Sequence, residues 1–296
     1  MTVWGLNDMR IEDVSRVAAF ADGDLGGNPA GVAFVEEVED AAAMLRTAAA
    51  VGYSETAFLA PQGDAWRVRY FAPETEVPFC GHATIALGSE LGRRFGPGLY
   101  RLVLNEAEIT VEAIEEGAGR WGAVLQSPAT WSKPLSPPLA LALMGAFDLT
   151  PAQIDPRLPI SLAHAGANHA VIPLASRARL AAMAYEFEPM KQRMLENDLT
   201  TISLIHFEAP RLIHARNPFA VGGVYEDPAT GAAAAALGGL LRDLDWDGLG
   251  QGTATGGPIE IRQGFDMGVP SRLRVEFGSE TGSSIGVSGL TREISA

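Results

Sequence analysis

The apolar and polar positions of this chain alternate over short stretches, broken by a few runs with helical spacing. Residues 14–35 set two apolar runs either side of DGDLGGNPAG, which reads as strand, loop, strand. Residues 40–51 have helical spacing behind Asp40, a residue suited to cap a helix. Residues 57–60 predict a short strand ended by Pro61, and WRVRYF at 66–71 alternates as a half-buried strand does. A loop over 73–81 feeds a helix over 82–95, stopped by Gly96, Pro97 and Gly98, and strands are expected near 100–104, 108–112 and 122–126. Residues 127–138, with prolines at 128, 134, 137 and 138, read as a linker. Beyond it the order recurs: a helix over 139–147, a strand within 162–174, helical segments in 177–197, strands at 202–208 and 212–215, a helix over 231–244, and strands at 272–277 and 284–287.

One stretch is written twice. EVPFCGHATIALGSEL at 76–91 returns as EDPATGAAAAALGGLL at 226–241, with Glu76/Glu226, Pro78/Pro228, Gly81/Gly231, Ala83/Ala233, Ala86/Ala236, Leu87/Leu237, Gly88/Gly238 and Leu91/Leu241 identical at a constant offset of 150. Small residues match easily by chance, but the order of acid, proline, glycine and alanine-rich apolar run does not. A period near half the chain implies two similar domains rather than a solenoid. The division expected is 1–130 and 131–296, with the last strand free to return to the first domain. Both repeat helices have almost no polar face, so each should be buried inside a sheet. The fold class predicted is α+β: two pseudo-symmetric domains, each a mixed, mostly antiparallel sheet wrapped round a central buried helix.

The starts of those helices carry the chemical interest. A helix N-terminus has unpaired N–H groups and about half a positive charge, and glycine at 81 and 231 permits close approach of a ligand. Taken singly, each loop is more simply an ordinary helix start. Related by a pseudo-two-fold, the pair could aim at one cleft between the domains and hold a carboxylate without Arg or Lys.

Composition narrows the partners. With 47% apolar and 20% charged residues over a length of 296, the chain reads as an ordinary globular protein, and no apolar run is long enough to span a membrane. The first fifteen residues lack the basic and apolar regions of a secretory leader, which makes the cytoplasm the expected location. A net charge of −14, from 36 acidic and 22 basic side chains, repels phosphate backbones, so nucleic acid is not an expected partner. The lone Cys80 cannot form an internal disulfide, and the five histidines show no metal-binding spacing, so no metal is expected.

FADGDLGGNPAGVAFV (20–35), GYSETAFLAP (52–61), VRYFAPETEVPFCGHATIALG (68–88), YEDPATGAAAAALGGLL (225–241) and IRQGFDMGVPSRLRVE (261–276) together resemble the phenazine biosynthesis PhzF-like family, of the diaminopimelate epimerase-like fold. The matches span most of the chain in the family's order. The resemblance implies a cofactor-free isomerase, a homodimer in some members, that moves a proton on a small carboxylate-bearing substrate in an interdomain cleft. It implies Glu55, from the SET motif, as general acid/base, with His82 and Asp227 making polar contacts and helping to orient or relay the proton. A shuttling carboxyl needs a pKa near the working pH, so Glu55 should be partly desolvated, against the opposite pull of the helix ends. Backbone N–H groups of Gly81, Gly231 and Ala232 would bind the substrate, with Ser54, Thr230 and Asn28 beside them; Asn28 could equally just hold a turn. The family often has Ser where this chain has Ala232, so a hydroxyl contact is missing and the substrate is expected to differ from the phenazine precursor.

Cys80 opens a second reading. Epimerases of this fold are similar in placing two cysteines where Cys80 and Thr230 stand, and a Cys/Thr pair resembles that of some proline-racemase-like dehydratases. A thiol beside a helix start is a credible base. Threonine, however, is too weak an acid for two-base racemisation. A third reading is a small-molecule binding protein without catalysis.

Overall fold

Residues 10–38, 40–117, 119–246 and 258–295 are described by the computed structural model, so most of the first fifteen residues, read above as lacking a leader's regions, lie outside them. Contacts divide the chain into two compact units, Met1–Gln126 with Ser288–Ala296, and Ser127–Val287. Among the described residues no helix is long and apolar enough to cross a membrane.

In the first unit, Asn28–Phe34 lies antiparallel to Ser15–Ala19 and parallel to Thr56–Gln62. A parallel neighbour needs a crossover, which the helix Ala41–Val51 supplies; Asp40 caps it through the N–H of Ala43 at 2.9 Å, as expected. Thr56–Gln62 then turns back antiparallel into Ala65–Phe71, which runs parallel to Gly98–Val103, followed by Glu108–Glu115 and Trp121–Gln126 in antiparallel order. The helix Gly81–Phe95 packs against this sheet, and every residue from 82 to 92 is buried. Its all-round burial is what a helix with almost no polar face requires. Gly88 lets it sit close: a Cβ there would stand 2.6 Å from Val111 Cγ2 and 2.8 Å from Ala123 Cβ.

The second unit likewise mixes parallel and antiparallel strand pairs. Trp131–Pro134 and Asn168–Pro173 flank Ser161–His164 in antiparallel pairing, and Asn168–Pro173 is parallel to Thr201–Ala209 across the helices Arg177–Ala181 and Phe187–Glu196. Thr201–Ala209 forms a hairpin with Leu212–Phe219, which runs parallel to Ile259–Gln263, itself antiparallel to Ser271–Phe277. The helix Gly231–Asp243 is buried from residue 233 to 242, and Gly238 brings it against Val275, where a Cβ would approach Cγ1 to 2.6 Å. The whole is a sheet-rich α+β protein.

Several elements depart from the sequence reading, among them the last strand, expected at 284–287, which runs Ile285–Glu293. The strand expected to end at Pro61 continues to Gln62, because its parallel neighbour stops opposite Leu59 and Pro61 has no ladder bond to give on that side. The proline-rich 127–138 is not simply a linker: Trp131–Pro134 is an edge strand, where proline is tolerated, and a helix starts at Pro137. Ile259–Gln263 had no sequence expectation at all.

Candidate functional site

The first unit gathers Ser54, Glu55, Cys80 and His82. Glu55 stands just before the strand Thr56–Gln62, fixed by its carbonyl, which accepts the N–H of Gly31 at 3.1 Å. His82 is the second residue of the buried helix, which fixes where its ring starts from. Its Nε2 is 3.3 Å from Glu55 Oε2 and 3.3 Å from Ser54 Oγ, while Nδ1 is 3.3 Å from Cys80 Sγ. Glu55 Oε2 is buried and has no hydrogen-bond partner, although the Glu55 side chain as a whole stays 19% exposed. A buried carboxylate oxygen without a partner is costly, and such groups concentrate at sites that do chemistry. A neutral imidazole donates from one ring nitrogen and accepts at the other, so His82 can pass a proton between the carboxylate side and the thiol side.

The turn that carries Cys80 and His82 is braced from below. Thr84 Oγ1 donates to the carbonyl of Cys80 at 2.7 Å, so the hydroxyl of Tyr70, 2.7 Å away, donates to Thr84. Tyr70 is fully buried, and burial pushes its phenol well above the usual value, keeping that donor in place. Glu76, at the mouth of the loop, is gripped by Arg69 through Nε at 2.7 Å and Nη2 at 2.6 Å, which holds its carboxyl below the ordinary value. Asn28 is buried as the first residue of its strand, directly after a turn with Gly26 and Gly27 at positive φ.

The second unit gathers Asp227, Thr230 and Gly231. Thr230 Oγ1 donates to Asp227 Oδ2 at 2.5 Å. Gln263, absent from the sequence reading, ties the loop together: its Nε2 donates to the carbonyl of Asp227 at 2.7 Å and to Thr230 Oγ1 at 3.0 Å, and its Oε1 accepts the N–H of Thr230 at 3.2 Å. Glu226 is held by Arg216, again through Nε and Nη2. Gly231 begins the helix, and Ala232 sits second, where the first unit has His82. In neither helix does the N-cap side chain, Cys80 or Thr230, bond an N–H of the first turn. Over Gly81 there is open space, with no atom within 4 Å of where a Cβ would stand.

The fold is that of a sheet-rich α+β protein of the kind seen in PhzF proteins and, more distantly, in a probable proline racemase from Agrobacterium radiobacter, whose fold matches with a TM-score of 0.61 at 12% identity over 95% of this chain and 90% of that one. The chain belongs to the phenazine biosynthesis-like protein family, whose sequence model matches residues 17–291. It is 34% identical over 286 residues to the trans-2,3-dihydro-3-hydroxyanthranilate isomerase of Pseudomonas aeruginosa, covering 92% of this chain and 94% of that protein. It is 31% identical over 271 residues to an uncharacterized isomerase of Deinococcus radiodurans, covering 88% and 85%. A PhzF-family phenazine biosynthesis protein of Bacillus anthracis has the same fold, with a TM-score of 0.81 at 21% identity over 95% of this chain and 96% of that one.

Proposed function

We propose that this chain is a cofactor-independent isomerase that moves a proton within a small carboxylate-bearing substrate. The observation that carries the proposal is the buried Oε2 of Glu55, which makes no hydrogen bond and lies 3.3 Å from His82 Nε2. As base, the Glu55 carboxylate takes a proton from one carbon of the substrate; as acid, it returns the proton to another, so the enzyme ends as it began. His82 orients the carboxyl and can relay the proton. Asp227 and Thr230 serve as polar contacts to the substrate, and N–H groups at Gly81, Gly231 and Ala232 hold its carboxylate. Relatives named as isomerases support the reaction class. The reading takes the two units as copies of one ancestral unit that share a substrate, supported by the arginine–glutamate pair present in each.

Deuterium wash-in from heavy water tests the roles, starting from trans-2,3-dihydro-3-hydroxyanthranilate and other small carboxylates with an acidic C–H bond. Glu55→Gln keeps size but removes the transferable proton, so exchange should fall by about 10²–10⁴. Cys80→Ala should cost little. A second reading is favoured by the 3.3 Å contact of Cys80 Sγ with His82 Nδ1, which suits a thiol base. It predicts the reverse, with Cys80→Ala dead and Glu55→Gln active. If neither change slows exchange, the cluster is not the active site. Substrate binding with no exchange at all would leave a binding protein. A crystal soak with the same carboxylates, read for density at Gly81 and Gly231, tests the shared-substrate part.

A further inference from the structure

We propose that Glu55, Cys80 and His82 form a binding site for one thiophilic divalent cation, with zinc the best match. Among the described residues these three are the group whose carboxylate, thiol and imidazole donors all lie within 4.8 Å of one another. The donor set is mixed in a way that selects the ion: sulfur and nitrogen disfavour Mg²⁺ and Ca²⁺, which take oxygen, and suit zinc. Charge also balances, because a thiolate and a carboxylate neutralise a doubly positive ion. With zinc bonds of about 2.0–2.3 Å, tetrahedral ligands stand roughly 3.3–3.6 Å apart. His82 Nε2 already lies 3.3 Å from Glu55 Oε2 and 4.0 Å from Cys80 Sγ. Side-chain shifts of roughly 1 Å complete the geometry. Cys80 and His82 are nine-tenths buried at the start of a buried helix and cannot drift apart, while Glu55, 19% exposed in its side chain, marks the way in. Glu55 Oε2, the buried oxygen without a hydrogen bond, gains a partner when the ion binds. The fourth position is open to water.

Zinc there takes the lone pair of His82 and the carboxylate of Glu55 together, so it would switch off proton transfer. That consequence rests on the isomerase reading; the binding does not.

Cobalt(II) is the probe, added to chelator-stripped protein in thiol-free buffer. One equivalent should give a near-ultraviolet sulfur-to-cobalt charge-transfer band with tetrahedral visible bands, and one equivalent of zinc should bleach both. Cys80→Ser should abolish the charge-transfer band, and His82→Gln and Glu55→Gln should each weaken cobalt binding by about ten-fold or more. In the unaltered protein, whose single cysteine makes any adduct unambiguous by mass, stoichiometric zinc should slow alkylation of Cys80. A cobalt spectrum without the sulfur band, or an alkylation rate indifferent to zinc, overturns the proposal. Because neither readout uses a substrate, failure of the isomerase reading leaves this test intact.

Discussion

Arg216 holds Glu226 with two parallel bonds, Nε to Oε1 at 3.0 Å and Nη2 to Oε2 at 2.5 Å, and anchors itself by donating from Nη1 to the carbonyl of Ala181 at 2.9 Å. Arg69 treats Glu76 in the same way, and donates from Nη1 to the carbonyl of Val38 at 2.8 Å. The bidentate fork fixes direction as well as charge, so each pair sets where the following loop leaves the sheet.

The two pairs should differ in strength. Glu226 is 3% exposed and Arg216 is 11% exposed in their side chains, so Glu226→Ala strands a nearly buried guanidinium and should cost about 3–5 kcal/mol in urea unfolding. Glu76 keeps 27% exposure, and water screens its pair; Glu76→Ala should cost about 1 kcal/mol.

Acid should weaken the fold through His169. Burial pushes its imidazole from 6.5 down to about 3, with the nearby His164 a lesser cause. The unfolded chain takes up this proton near 6.5, whereas the folded chain refuses it until about pH 3. The stability is therefore complete above pH 6.5 and drains away as pH falls through that window. His169→Gln, which can keep a bond to Thr201, should flatten the slope of stability against pH by up to about 1.4 kcal/mol per pH unit, read from urea midpoints between about pH 7 and pH 4. Glu76, held low by Arg69, and Asp155, held low by Arg157, add to the acid loss only below their ordinary values.

Glycines of the repeat should separate packing from ligand binding. Gly88→Ala and Gly238→Ala drive a methyl into Val111 and Val275, and each should cost about 1–3 kcal/mol. Gly81→Ala meets open space, so its unfolding midpoint should hold or rise slightly, while carboxylate affinity by calorimetry should fall.

Gln263 should matter beyond its distance in sequence. Gln263→Leu removes the bonds to the N–H of Thr230 and the carbonyl of Asp227, a loss of about 2 kcal/mol or more in urea unfolding. If it positions Asp227 for catalysis, kcat should fall further than in Gly238→Ala, a variant of comparable stability loss.

What was legible in the sequence was local or motif-borne. The Asp40 cap, the strand at 66–71 and the two mostly apolar helices follow from period and capping chemistry, and SET and GHAT pointed to Glu55 and His82. Partners brought together by pairing were not legible. Gln263 lies 33 residues beyond Thr230 and meets it only because Ile259–Gln263 runs beside Leu212–Phe219. The arginines escaped the 150-residue repeat because residues 72–75 link Phe71 to Glu76, whereas residues 219–225 link Pro218 to Glu226. Cys80 stands far from Glu55 in sequence, and the two meet only because Glu55 precedes the strand Thr56–Gln62 while Cys80 stands at the N-cap of the helix Gly81–Phe95.

The strand Ile285–Glu293 returns to pair with Ser15–Ala19, setting Thr291 opposite Ala19 and Glu293 opposite Val17, and Arg93 reaches Glu293 at 2.9 Å. For a chain made from the N-terminus onward, this reverses the order of completion. The unit over 127–287 is contiguous and can close once its own residues have left the ribosome. The unit that carries Glu55, Cys80 and His82 is translated first, yet it must wait with an unpaired strand edge until residues 288–293 emerge. During that interval the nascent chain is most exposed to aggregation and most in need of a chaperone.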